Sequence, residues 1–214
     1  MKTATALLPR SRLGSALSIL LISGTYAVDL AGAALNSDLI RTRFGSYGVD
    51  VLEQDRRQRL ASLYSDHEQG RVTRTLALTE FLLPVPEPLA TVDREIRAGA
   101  SLGATLRAAG WQVTKSAAVE CLGKAGAYFA ELAGPNVTPE SPILMRAYRL
   151  AATRGDTSVD YATIAEAYHP EHVAPDGQPR CAAEEATGPR TDNRFTTLAG
   201  LLEAMHWRGG NPTS

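Results

Sequence analysis

The stretch VDYATIAEAYHP, residues 159–170, places a glutamate inside a run of strand formers. Val159, Tyr161 and Thr163 favour extended backbone, Ile164, Ala165 and Ala167 add little that is polar, and Pro170 ends the run four residues after Glu166. A carboxyl group there either touches a ligand, as acid or acceptor, or pairs locally at the rim of a sheet. Strict alternation puts Glu166 on a face with Asp160, Ala162, Ile164 and Tyr168, a mixed set that leaves both readings open. Two arginines are placed to accompany it. Arg74 shares a strand face with Leu76 and Leu78, and Arg146 shares one with Leu144, Tyr148 and Leu150. Each is either a bidentate contact for a ligand carboxylate or an edge residue with a packed stem and a hydrated head.

Other chemistry has weaker support. His169 and His172 stand three apart beside Glu171, but Pro170 breaks helical spacing between them, so a solvated turn is expected and no metal. No GxSxG elbow occurs, and Gly99 and Gly103 in GASLGATLRAAG follow neither P-loop nor Rossmann spacing. No cofactor is therefore expected. Arg56, Arg57 and Arg59 flank Asp55 and read as a solvated turn. Trp111, Tyr128 and Tyr148 read first as core, and NVT at Asn136 is a glycosylation sequon of a kind that chance often produces. Cys121 and Cys181 cannot complete a four-ligand zinc site, and neither lies in a CxxC. In an exported chain such a pair suggests a disulfide, which across a loop of about 60 residues stabilises by on the order of 4 kcal/mol. The alternative is two unconnected thiols.

The elements that must position these residues read as strands first. RTRFGSYGVDVLEQ (41–54) alternates and ends in the turn DRRQ; RLASLYS (59–65) follows, then the turn DHEQG, then RVTRTLALTEFLL (71–83). PVPEP (84–88) stops that strand. Leu89, Val92 and Ile96, then Leu102 and Leu106, mark two short helices broken near Gly99, with Ser101 as N-cap and Gly110 as stop. WQVTKSAAVECLG (111–123) returns as a strand; AGAYFAELAGPNV (125–137) is ambiguous, with a further strand among its readings. Residues 143–154 and 158–168 form a hairpin around Gly155-Asp156-Thr157. A polar loop fills 174–193, an amphipathic helix is expected over 194–207, and 208–214 reads as disordered. No internal repeat is evident. The fold class is α+β: one antiparallel β-sheet, a helical insertion after the third strand, and a C-terminal helix.

The whole chain has 214 residues, 44% hydrophobic and 21% charged, with net charge −1 and a pI of about 6.4. That suits one domain with a sizeable core, and nothing in it favours a nucleic-acid partner, because no basic surplus exists to neutralise phosphates. Residues 1–27 follow the secretory pattern. Lys2, Arg10 and Arg12 precede the apolar LGSALSILLISG, and TYA offers small residues for cleavage after Ala27. The apolar run is too short to span a membrane, so no span is expected after cleavage. An uncleaved anchor reaching about Leu35 is the alternative, followed by a plain N-terminal helix. A periplasmic or secreted protein is expected.

This order of elements resembles the chorismate lyase-like fold, shared by chorismate pyruvate-lyase and the UTRA ligand-sensing domains of GntR-type regulators. The resemblance covers roughly residues 40–173, within a domain read as 39–173. TRTLALTEFLLP with EPLATVDREIRAGASLGATLRAAGWQVTKS is similar to the family's strand, proline stop and helical segment, whose LG…L motif is here Leu102, Gly103 and Leu106. SPILMRAYRLAATRGDTSVDYATIAEAYHP is similar to its terminal hairpin, and AEAYHP keeps a glutamate and a proline in register with the lyases' last strand. The resemblance implies a ligand cavity with Glu166 in it as candidate proton donor, lined also by Leu102, Gly103 and Tyr148, with Arg74 and Arg146 as candidate ligand contacts. It implies no cofactor. Where the lyases carry a carboxylate-holding arginine, this sequence has Ala61 or Ser62.

Three functions follow as expectations. The first is an exported protein that binds a small carboxylate or aromatic acid without catalysis. The second is a carbon–oxygen lyase acting on chorismate with Glu166 as the acid, and the third an envelope protein that engages a partner and no small ligand. The residues leave oligomeric state open.

Overall fold

The computed structural model describes residues 35–206, apart from 69, 176, 179–180 and 182–192. The expected secretory segment, the C-terminal tail and much of the loop 174–193 lie outside the described residues.

Helix α1 (Asn36–Phe44) leads into β1 (Gly48–Gln54), β2 (Gln58–His67) and β3 (Gly70–Phe81). A 3-10 turn at Glu87–Leu89 opens the insertion formed by α2 (Ala90–Arg97) and α3 (Leu102–Ala108). Then come β4 (Gln112–Lys124), α4 (Gly126–Ala133), the hairpin β5 (Pro142–Arg154) and β6 (Thr157–Tyr168), and α5 (Asn193–His206). The six strands make a single antiparallel sheet in the order β1-β2-β3-β6-β5-β4. This is the expected α+β class, with the helical insertion after the third strand and the helix at the end. No helix among the described residues is long and apolar enough to cross a membrane.

Alternation along the strands gives the sheet two different faces. One carries Leu60, Leu76, Leu78, Met145, Ala165 and Ala167 against Phe129 of α4 and Leu198, Leu201 and Met205 of α5. Alanines on the central strands let α5 settle close to the backbone. The other face carries Phe81, Tyr148, Leu150 and Ile164 against Val92, Ile96 and Leu106 of the α2–α3 insertion. Farther along that face, Leu144 and Tyr168 meet Val173 and Leu39 of α1. Two separate covers therefore share one face.

Four expectations need correction. Residues 36–44 form a helix, although the alternation at Arg41–Phe44 predicts the start of a strand; Gly45, with φ 79°, ends it by donating its N–H to the Arg41 carbonyl. Residues 126–133 are helical, since Phe129, Ala130 and Ala133 at i, i+1 and i+4 bury one side against the sheet. In β3, Thr75 pairs with Leu63 and Thr73 with Tyr64, so Arg74 is the extra residue of a bulge and leaves the Leu76–Leu78 face. In β6, Ala162 pairs with Leu150 and Asp160 with Ala151, so Tyr161 is bulged and Asp160 lies on the face opposite Glu166.

Cys121 on edge strand β4 is joined to Cys181, with Cα atoms 4.9 Å apart and a sequence separation of 60. The Cys181 N–H also donates to the Leu122 carbonyl, which ties the chain after β6 along that edge. Cys121→Ser is expected to lower the unfolding free energy by on the order of 4 kcal/mol in a urea titration. An unchanged midpoint would contradict a bridge that closes this loop.

Candidate functional site

One row of residues runs straight across the second face. Val51, Ala61, Ala77, Glu166, Arg146 and Glu120 are successive partners from β1 to β4. The alanines leave space beside the glutamate that larger neighbours would fill. The helical covers do not fill it: α1 begins at one side and α3 at the other. The result is a cavity of about 80 Å³, lined from the sheet by Arg59, Ala61, Ala77, Lys115, Tyr148 and Glu166. Leu35, Asn36, Tyr47, Ser101, Leu102 and Gly103 line it from the cover. At Gly103 a Cβ would come within 3.0 Å of the Leu35 side chain, so glycine lets the two covers meet. Ser101 holds the N-cap position of α3 but does not cap it; its hydroxyl is 2.9 Å from that of Tyr47, across the cavity rim.

Glu166 is 4% exposed. Its Oε1 accepts from Asn36 Nδ2 at 3.1 Å and its Oε2 from the Tyr168 hydroxyl at 2.6 Å. Asn36 also donates to Thr75 Oγ1 at 3.0 Å, and its Oδ1 lies 2.7 Å from His172 Nε2. Burial, then the Glu166 charge, pushes the phenols of Tyr148 and Tyr168 well above the ordinary tyrosine range, so both remain donors at neutral pH. His172 is pulled down to about 4, first by burial and then by Arg43 and Arg74, against the attraction of Glu166. It is neutral at pH 7 and carries its proton on Nε2, facing the Asn36 oxygen.

Of the residues singled out from sequence, Glu166, Leu102, Gly103 and Tyr148 lie together on the cavity wall. Arg74 and Arg146 are buried but do not line it. Arg74 donates to Ser65 Oγ at 2.8 Å, pairs with Glu171 at 2.7 Å, and has its guanidinium carbon 3.8 Å from the Phe44 ring centroid. The bulge turned it toward α1. Arg146 is the cross-strand partner of Glu166, with Nε 3.3 Å from Glu120 Oε1 and its guanidinium carbon 5.8 Å from the Tyr148 ring centroid. His169 and His172 are buried, which overturns the solvated turn. His169 Nδ1 accepts from the Glu171 N–H, and Nε2 lies 3.2 Å from the Ala133 carbonyl. No group of residues among those described is arranged to hold a metal ion.

Asn36, Tyr47 and Lys115 are lining residues that sequence reading missed, and so is Arg59. It is 3% exposed, not solvated, and its Nη1 donates to the Ile96 and Ala100 carbonyls at 2.9 Å each. Those carbonyls lie at and just beyond the C-terminus of α2, where unpaired acceptors and the helix dipole favour a cation. It precedes Ala61 by two on β2, hence on the same face. A signal existed in that alternation.

No family model matches the sequence, and no curated protein does. Among solved structures, a candidate regulator from Escherichia coli CFT073 is similar at 8% identity and TM-score 0.36, over 56% of this chain and 94% of that one. A candidate transcriptional regulator of Bacillus subtilis, YydK, is similar at 13% identity and TM-score 0.35, over 66% of this chain and 64% of that one. At these scores neither likeness says anything of the site.

Tyr168→Phe keeps the buried ring and removes a donor to Glu166, and is expected to cost about 1–3 kcal/mol in denaturant unfolding; an unchanged midpoint would contradict the hydrogen bond. A second expectation concerns pH. The folded pKa of His172, about 4, lies below its usual 6.5, so the unfolded state binds the proton more readily. Its contribution is complete above about pH 6.5 and is lost as pH falls towards 4; His169, also lowered by burial, acts in the same direction. His172→Gln is expected to flatten the stability–pH curve across that window, and a curve of unchanged slope would contradict a neutral buried His172.

Proposed function

We propose that the chain binds a small organic acid in the cavity beside Glu166, and that it does so outside the cytosol after loss of residues 1–27. The observation that carries the binding reading is a buried carboxyl group set against two alanines in a space where polar groups converge. A packing defect would be lined by apolar atoms, whereas this cavity also presents Tyr47, Ser101, Lys115 and Tyr148. The resemblance to ligand-sensing domains supports the same reading, and a net charge of −1 gives the chain no basic surplus of the kind that phosphate binding draws on. Export is supported by the three-part pattern of residues 1–27 and by the Cys121–Cys181 bridge, which suits an oxidising compartment.

A second reading, a chorismate-cleaving lyase, is favoured by Glu166 on the cavity wall. Against it stands the resemblance itself: where the lyases carry a carboxylate-holding arginine, this chain has Ala61 or Ser62.

The test is thermal unfolding of the purified protein with a panel of small carboxylates and aromatic acids, run beside an assay for 4-hydroxybenzoate release from chorismate. A ligand at a hundred times its Kd adds about 2.7 kcal/mol of stability, an upward shift of several degrees for a chain of this length. Stabilisation without turnover is expected. Turnover that Glu166→Gln abolishes would establish the lyase, and neither effect would leave an interaction protein. For export, protein recovered from cells is expected to begin at Val28, and an intact Met1 in cytosolic material would contradict it.

A further inference from the structure

The donors around Glu166 limit what a ligand can offer it. Asn36 has a fixed orientation: its Nδ2 faces Thr75 Oγ1 at 3.0 Å and Glu166 Oε1 at 3.1 Å, and its Oδ1 faces His172 Nε2 at 2.7 Å. Reversing the amide would aim its oxygen at a carboxylate oxygen and its NH₂ at the proton on His172. Tyr168 adds a second donor at 2.6 Å. The Tyr148 hydroxyl is turned on it as a third donor, and since a carboxylate has about four lone-pair sites, acceptor capacity remains on a group that lines the cavity. What remains is satisfied by a donor. A ligand carboxylate placed there would meet like charge in a space of low polarity.

The opposite charge stands on the other side of Tyr148. Lys115 lines the same cavity, with Nζ 4.9 Å from the Tyr148 ring centroid and no carboxylate partner among the described residues. The Ile96, Gly99 and Ala100 carbonyls take the Nη groups of Arg59, while its buried Nε has no acceptor among the described residues, so Arg59 adds a second positive group to this side of the cavity. Tyr148 therefore lies between an ammonium over its ring face and a carboxylate near its hydroxyl.

We infer that the cavity is dipolar and takes a small acid that carries a hydrogen-bond donor, a hydroxyl or an ammonium, at the end away from its carboxylate. The carboxylate meets Lys115 and the donor meets Glu166. This rests on the binding reading above and narrows it to short hydroxy acids or amino acids, which suit a volume of about 80 Å³. A site built to hydrogen-bond such a donor rejects the analogue that lacks it, because its own buried acceptor is then left unpaired.

The experiment is a titration of the isotope-labelled full chain, followed through its amide resonances, with L-lactate, L-alanine and propionate at neutral pH. The three share a chain length and a carboxylate and differ in the donor. Saturable shifts at Ala77 and along Ile164–Tyr168 are expected for L-lactate or L-alanine at concentrations at least tenfold below any response to propionate. Lys115→Met, at a half-buried position outside the main core, is expected to weaken that binding tenfold or more. Propionate binding as tightly as both others would overturn the inference and leave the binding reading standing. Unchanged affinity in Lys115→Met would overturn the assignment of the two ends. No saturable shift with any of the three would overturn the binding reading and the inference together.

Discussion

A carboxyl group buried in the middle of a sheet must be hydrogen-bonded from elsewhere in the chain, and the architecture of one whole face follows from meeting that need at Glu166. Leaving such a group unpaired would cost several kcal/mol, a large share of a domain's net stability. One donor comes from a distant segment, Asn36 at the start of α1, 130 residues before it, and another, Tyr168, follows it by two on the same strand. Asn36 is in turn held by His172, from the turn after β6. Helix α1 and that turn thus close over the site through one chain of polar contacts, with Arg43 bonded to the His172 carbonyl at its edge.

The two faces of the sheet solve different problems. Under α4 and α5 the sheet packs apolar side chains, and alanines such as Ala147, Ala165 and Ala167 bring the helices close. On the other face, alanines at Ala61 and Ala77 meet no descending helix, so the same small side chain makes a cavity there. Helices cover this face from two directions and touch where Gly103 meets Leu35. Arg59 reinforces the boundary by closing the C-terminal end of α2 from beneath.

Much of this was legible in the sequence. The hairpins were, because apolar residues alternate between tight polar turns, and Gly155-Asp156 marks the last of them. Glu166 stood out because a carboxylate in a run of strand formers is costly without a purpose. What could not be read depends on partners far along the chain. Helix α1 looked like a strand because Arg41 to Phe44 alternate, and its stop depends on the backbone freedom of Gly45. Bulges at Arg74 and Tyr161 each shifted the face of what lies beyond them, and one extra residue leaves no signature in composition. Arg59 was hidden because its partners are backbone carbonyls, 37 and 41 residues later, with no side chain to announce them.

The most direct measurement of the central claim is the electron density of the crystallised protein between Glu166, Ala77 and Lys115. The account predicts an ordered molecule there, water or a small acid, within hydrogen-bond distance of a Glu166 oxygen that also accepts from Asn36 or Tyr168. A Glu166 side chain turned out to bulk solvent, or aliphatic side chains filling the space beside Ala61 and Ala77, would contradict it.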